Sequence, residues 1–140
     1  MEELLDTAQK MGTEKKLSII GSIDNNIIIE GFQEKLGRAL LNVMDNAIKY
    51  VPTLGKIEIN LKKEKHHAVI SIKDNGVGIS ADDLPHIFDR FYRGSVTNKI
   101  FGSGLGLAIA KAIVASHKGE IKVKSKVASG TTFIIVLPLR

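Results

Sequence analysis

Residues 68–74 of this chain read Ala-Val-Ile-Ser-Ile-Lys-Asp, and the apolar positions Ala68, Ile70 and Ile72 fall at every second residue. Successive side chains of a strand point to opposite faces, so the spacing predicts a half-buried strand and commits Asp74 to its buried face. A carboxylate in that position is costly unless it is hydrogen-bonded, and an ionised carboxylate only accepts. The position therefore asks for a donor, such as the exocyclic amine of adenine. The competing reading is an aspartate that serves the turn Asp-Asn-Gly-Val-Gly at 74–78.

A second alternating run, Ile57, Ile59 and Leu61, lies just upstream, and the charged residues 62–66 join the two runs into a hairpin. Helical spacing governs 36–51, where Leu36, Leu40, Val43, Ala47 and Val51 recur at three- and four-residue steps until Pro52 stops them. Shorter signals predict a helix over 2–10 that stops near Gly12, strands over 17–20 and 27–30, and a helix over 80–88 opened by Ser80. A further helix runs from Leu105 to near Gly119, followed by strands over 121–125 and 131–137. Residues 89–103 lack periodicity and read as a mobile loop. This order predicts an α/β (α+β) two-layer sandwich, with a mixed, mostly antiparallel sheet and helices on one face.

At 140 residues, the chain is expected to be one domain with a real core. It has no cysteine, which removes disulfides and thiolate chemistry and fits a reducing, cytoplasmic setting, and its four histidines show no metal-ligand spacing. No apolar run approaches the roughly 20 residues that cross a bilayer, so no membrane contact is expected. The net charge of +5 is scattered, and two tyrosines with no tryptophan give little to stack on bases, which argues against a nucleic-acid partner.

On the predicted long helix, Asn42, Asn46 and Lys49 share about a third of the circumference, opposite the apolar stripe. A carboxamide oxygen suits magnesium and an ammonium suits a phosphate oxygen, although such stripes are commonly just solvated. Gly76 and Gly78 permit close backbone approach beneath a planar ligand or a plain turn. Gly102, Gly104 and Gly106 precede a helix whose free amides form an anion site. Their spacing is not the dinucleotide fingerprint, and no Gly-Lys-Ser/Thr marks a P-loop.

Four boxes, Asn42-Val-Met-Asp-Asn-Ala-Ile-Lys-Tyr50, Asp74-Asn-Gly-Val-Gly-Ile79, Ile87-Phe-Asp-Arg-Phe-Tyr-Arg93 and Gly102-Ser-Gly-Leu-Gly-Leu107, resemble in order and spacing those of the sensor histidine kinase ATP-binding domain. The resemblance covers about residues 17–138 and implies the Bergerat-type ATP fold shared with gyrase and MutL ATPases. It implies that Asn46 and Asn42 serve magnesium and the phosphates, that Lys49 and Arg93 meet phosphate, and that Tyr50 lies beside the nucleotide. Asp74 would read adenine with support from Gly78 and Thr132, and the second box adds Gly76 and Ile79. Phe88 and Phe91 resemble the pair that anchors the ATP lid at about 89–103, while Gly102, Gly104, Leu105 and Gly106 resemble its hinge and phosphate cradle.

In the related ATPases a glutamate one turn before the metal-binding asparagine activates water. Asn42 stands there instead, and a neutral amide is a poor general base. The expected reaction is therefore transfer of the ATP γ-phosphoryl to a histidine on a separate dimerisation domain, with a response regulator downstream. None of His66, His67, His86 or His117 has the helical His-Glu/Asp context of the acceptor. The chain is thus expected to be a monomeric catalytic domain over 13–140, with 1–12 a remnant of the linker helix, although Met1 also suits a naturally short protein. An anti-sigma-type serine kinase or a non-catalytic nucleotide-sensing module of the same fold are the alternatives. Phe32 and Arg38 occupy places where the family often has aspartate and glutamine.

Overall fold

In a computed structural model, which describes residues 1–92 and 105–140, the two alternating runs form the predicted hairpin. Strand β2 spans Lys56–Glu64 and β3 spans His67–Asp74, paired antiparallel with Ile59 opposite Ile72 and Leu61 opposite Ile70. The register puts Ile57, Ile59, Leu61, Ala68, Ile70 and Ile72 on one buried face. Helix α2, Gln33–Tyr50, covers that face with Leu36, Ala39, Leu40, Val43, Met44, Ala47 and Ile48. Its stripe repeats at the helical period, so one side is buried along the whole length.

The other elements extend this two-layer plan. Helix α1 spans Glu2–Met11, β1 Ser18–Ile23, α3 Gly106–Ser116, β4 Glu120–Lys126 and β5 Gly130–Pro138. Among the described residues they form one five-stranded sheet in the order β1-β2-β3-β5-β4. Only β1 and β2 pair in parallel, which requires a crossover, and α2 supplies it. Strand β5 sits between β3 and β4, and its buried Phe133, Ile135 and Leu137 continue the core face. Ala110 and Val114 of α3 and Ala8 of α1 are buried in the same core. The mixed, mostly antiparallel sheet with helices on one face is the expected class.

Two predicted elements differ, one absent and one shortened. Residues 27–30 form no strand, although Ile27 and Ile29 pack inward and Ile28 faces out. Ile28 accepts one backbone bond, from the Arg140 amide at 3.0 Å, but no neighbouring strand offers a ladder. The helix over 80–88 contracts to one 3-10 turn at Leu84–His86 because Pro85 has no amide to donate. Ser80 still acts at its start: its hydroxyl accepts from the Asp83 amide at 3.2 Å and its carbonyl from Leu84 at 3.0 Å.

Helix α1 is packed rather than free. Gln9 donates to the Ile19 carbonyl at 3.0 Å, and a Cβ on Gly21 would lie 2.5 Å from Leu5. The following turn brings Lys15 to the C-terminus of α2, where Nζ donates to the carbonyls of Ile48, Lys49 and Val51 at 2.8, 2.9 and 3.0 Å. A cation there satisfies carbonyls that have no helical partner and complements the dipole, worth about 0.3–1 kcal/mol. At the far end, His117 closes α3 onto the start of α2. Its Nε2 accepts from the Phe32 amide at 3.1 Å, and its Nδ1 lies 2.8 Å from the Ile113 carbonyl.

Candidate functional site

Strand alternation carries Asp74 to the end of the buried face of β3, where it is 5% exposed. Its Oδ1 accepts two backbone amides, from Gly76 at 2.8 Å and Thr131 at 3.2 Å, and no described group binds Oδ2. Burial pushes the carboxyl above its ordinary value, and the two amide bonds pull it back in part. The turn bonds therefore hold the carboxylate by one oxygen and leave the other as an acceptor. The turn reading of Asp74 thus accounts for one of its two oxygens.

The loop after Asp74 is fixed on two sides. Val77 donates its amide to the Tyr50 carbonyl at 3.4 Å, and its carbonyl accepts from Ala128 at 2.8 Å. The Ile79 amide donates to Ser125 Oγ at 2.7 Å, and that hydroxyl also bonds Thr131 Oγ1 and the Gly130 carbonyl. Asn75 Oδ1 accepts from the Lys56 amide at 2.8 Å. The glycines permit this closeness: a Cβ on Gly76 would lie 2.6 Å from the Tyr50 carbonyl oxygen, and one on Gly78 2.0 Å from that of Lys126. Gly78 also has φ of +74°, the left-handed region. On the Cβ side of both glycines the immediate neighbour is thus protein backbone.

On α2, Asn42 and Asn46 are half-buried one turn apart. Among the described residues Asn42 Nδ2 is buried without a hydrogen-bond partner, a cost that an acceptor on a ligand would remove. The N-terminus of α3 comes against it, since a Cβ on Gly106 would lie 3.9 Å from both Cβ and Cγ of Asn42. That is ordinary contact, so packing among the described residues does not demand glycine at 106. Asn42 lies about 12 Å along the helix axis from Tyr50, so the polar stripe leads away from the Asp74 loop toward the first amides of α3. Among the described residues no cluster of histidine or acidic side chains could hold a metal, which leaves carboxamide oxygens as the hard donors.

Several expected positions differ. Thr132 pairs with Lys73 and Lys124, on the sheet face opposite Asp74; the threonine beside Asp74 is Thr131. Alternation with Phe133, Ile135 and Leu137 was the signal that separates the two. Phe88 meets Phe133 edge-on at 6.3 Å under Lys111 Nζ. Phe91, with φ of +63°, is 69% exposed. Lys49 is engaged with Asp45 at 2.9 Å, a partly exposed i,i+4 pair worth about 0.3–0.5 kcal/mol and readily exchanged. Tyr50 closes α2, with its carbonyl bonded by the loop after Asp74, and Leu105 immediately precedes α3. Arg93, Gly102 and Gly104 lie outside the described residues, as does most of the expected lid. Sequence reasoning missed Lys15 and Ser125, whose partners are distant along the chain.

The five-stranded sheet backed by helices, and the sequence that forms it, match known proteins. The chain belongs to the histidine kinase-, DNA gyrase B-, and HSP90-like ATPase family, whose model matches residues 31–140. It is 38% identical over 136 residues to the sensor histidine kinase WalK of Bacillus subtilis, covering 94% of this chain and 22% of that protein. Similarity to the signal transduction histidine-protein kinase AtoS of Escherichia coli is 36% over 141 residues, covering 99% and 22%. Among solved structures, a mycobacterial sensor histidine kinase, MprB, superposes with a TM-score of 0.87 at 33% identity, covering 100% of this chain and 96% of that one. The chain thus spans about a fifth of the length of the curated relatives.

Proposed function

We propose that this domain binds ATP with magnesium and is the catalytic part of a sensor histidine kinase, transferring the γ-phosphoryl to a histidine on a separate dimerisation domain. The observation that carries the reading is Asp74. Its Oδ1 is saturated by backbone while Oδ2 stays open, which suits the exocyclic amine of adenine. Thr131 replaces Thr132 as the supporting residue. From there the nucleotide follows α2 toward Asn46, Asn42 and the amides at Gly106, and Lys49 exchanges Asp45 for phosphate. Magnesium would be held by the carboxamide oxygens of Asn46 and Asn42, one turn apart, while the orphaned Asn42 Nδ2, a donor, suits a phosphate oxygen. When bound it would supply charge neutralisation on the phosphates, and the chain's own residues would hold the nucleotide in place.

Asn42 supports transfer over hydrolysis, since a carboxamide does not deprotonate water. The residues at 102–104 and Arg93 belong to the same proposal as lid and phosphate contacts. The similar solved structure of full-length ShkA is titled as a complex with AMPPNP, which accords with the reading at 25% identity and a TM-score of 0.82. We further propose a response regulator as the downstream partner and α1 as the connection toward the dimerisation helices.

Calorimetry should find magnesium-dependent ATP binding by the wild type and none by Asp74→Asn. Mixing the chain with labelled ATP and a dimerisation domain should then yield acid-labile phosphate, the signature of phosphohistidine. Acid-stable phosphate on a serine-bearing partner, or ATP binding with no transfer, would overturn the kinase assignment.

A further inference from the structure

We propose that Lys15 is a positioning residue for the adenine loop, and that it couples the connection between α1 and β1 to nucleotide affinity. The last four carbonyls at the C-terminal end of α2, 48–51, have no partners within the helix. Lys15 Nζ takes those of Ile48, Lys49 and Val51, using all three ammonium donors. The Tyr50 carbonyl, in the middle of that group, accepts instead from the Val77 amide. It also forms the surface on which Gly76 packs. Gly76 in turn donates to Asp74 Oδ1. One contiguous chain of bonds thus leads from Lys15 through the end of α2 to the carboxylate proposed to read adenine.

Lys15 is bound at its backbone as well, because its carbonyl accepts from the Leu54 amide at 2.8 Å. Gly55, next in sequence, packs against Val51 and Asn75, and Asn75 Oδ1 accepts the Lys56 amide. The segment leaving α1 therefore grips both the helix end and the loop that follows it. A movement of α1 that withdraws the ammonium frees three carbonyls at once, and the Tyr50 carbonyl loses its fixed direction. The seat of Gly76 and Val77 is then lost while the hydrophobic face of the sheet is untouched. This inference rests on the nucleotide reading for its affinity effect, but its structural effect can be read without ligand.

The test uses the full chain with Lys15→Met and Lys15→Arg. Amide exchange is measured on the ligand-free proteins, and magnesium-ATP affinity by calorimetry. Lys15→Met should speed exchange at Gly76 and Val77 selectively, leave Ile59, Ile70 and Ile135 protected, and weaken ATP binding about tenfold. Lys15→Arg, which keeps charge and donors, should restore both to within about threefold. Unchanged exchange at Gly76 and Val77, or equal acceleration throughout the sheet, would overturn the proposal. If Lys15→Met fails to fold, Lys15→Gln replaces it under the same two criteria. A wild type that binds no ATP would count against the nucleotide reading alone, and the exchange result would still decide the role of Lys15.

Discussion

Burial holds the Asp74 carboxyl above its ordinary value of 3.8, against the pull of the Gly76 and Thr131 amides. Between those two values the native state carries more proton than the unfolded chain, so stability due to Asp74 is present at low pH and declines as pH rises through the raised value. Asp74→Asn keeps an acceptor for the two amides and removes the buried charge. The variant should therefore gain stability relative to the wild type as pH is raised from below 3.8 to neutral, measured by urea unfolding at matched pH. It should lose ATP binding at the same time, since an amide nitrogen cannot accept from adenine. A parallel loss of stability at neutral pH would contradict this account.

The glycines separate in the same way. Gly78→Ala forces a side chain into the left-handed region and onto the Lys126 carbonyl, and should cost about 2 kcal/mol or more in thermal or chemical unfolding. Gly106→Ala meets only ordinary contacts among the described residues. It should leave stability within about 0.5 kcal/mol and weaken nucleotide binding.

At the scale of elements, Lys16 pays for the turn between α1 and β1 with a φ of +52°. Lys16→Gly should raise the unfolding free energy by about 1 kcal/mol, detectable as a higher melting temperature, while keeping Lys15 in place. The regular elements were legible because each has a period: every second residue in β2 and β3, three to four in α2. Residues 27–30 mislead because an inward-outward alternation can exist without a neighbouring ladder. The segment after Ser80 misleads because a good cap starts a turn but cannot supply the amide that Pro85 lacks. Asp74, the asparagines and the glycine loop were legible from side-chain direction and chemistry. Lys15 and Ser125 were not, because bonds spanning 33 to 36 and 46 residues leave no local pattern. Thr131 differs again, since the parity of β5 was available in the apolar residues that follow it.

At the scale of the whole molecule, the site ties together elements from most of the chain, so its ligand should stabilise the fold as a unit. Magnesium-ATP at a hundred times its dissociation constant should add about 2.7 kcal/mol to the unfolding free energy. No shift should be seen for Asp74→Asn, and a scan of melting temperature against ATP concentration checks both. No described helix is long and apolar enough to cross a membrane.

Among the described strands β5 comes latest in sequence but lies inside the sheet, and it brings the Thr131 amide to Asp74. During synthesis the hairpin of β2 and β3 emerges first, with one edge unpaired and Ile70 and Ile72 without their opposite neighbours Ile135 and Phe133. The aspartate cannot acquire its second amide until β5 inserts and closes that edge. Closing that edge and completing the Asp74 hydrogen bonds are therefore one event, and a chain stalled before residue 130 keeps an open, adhesive strand edge.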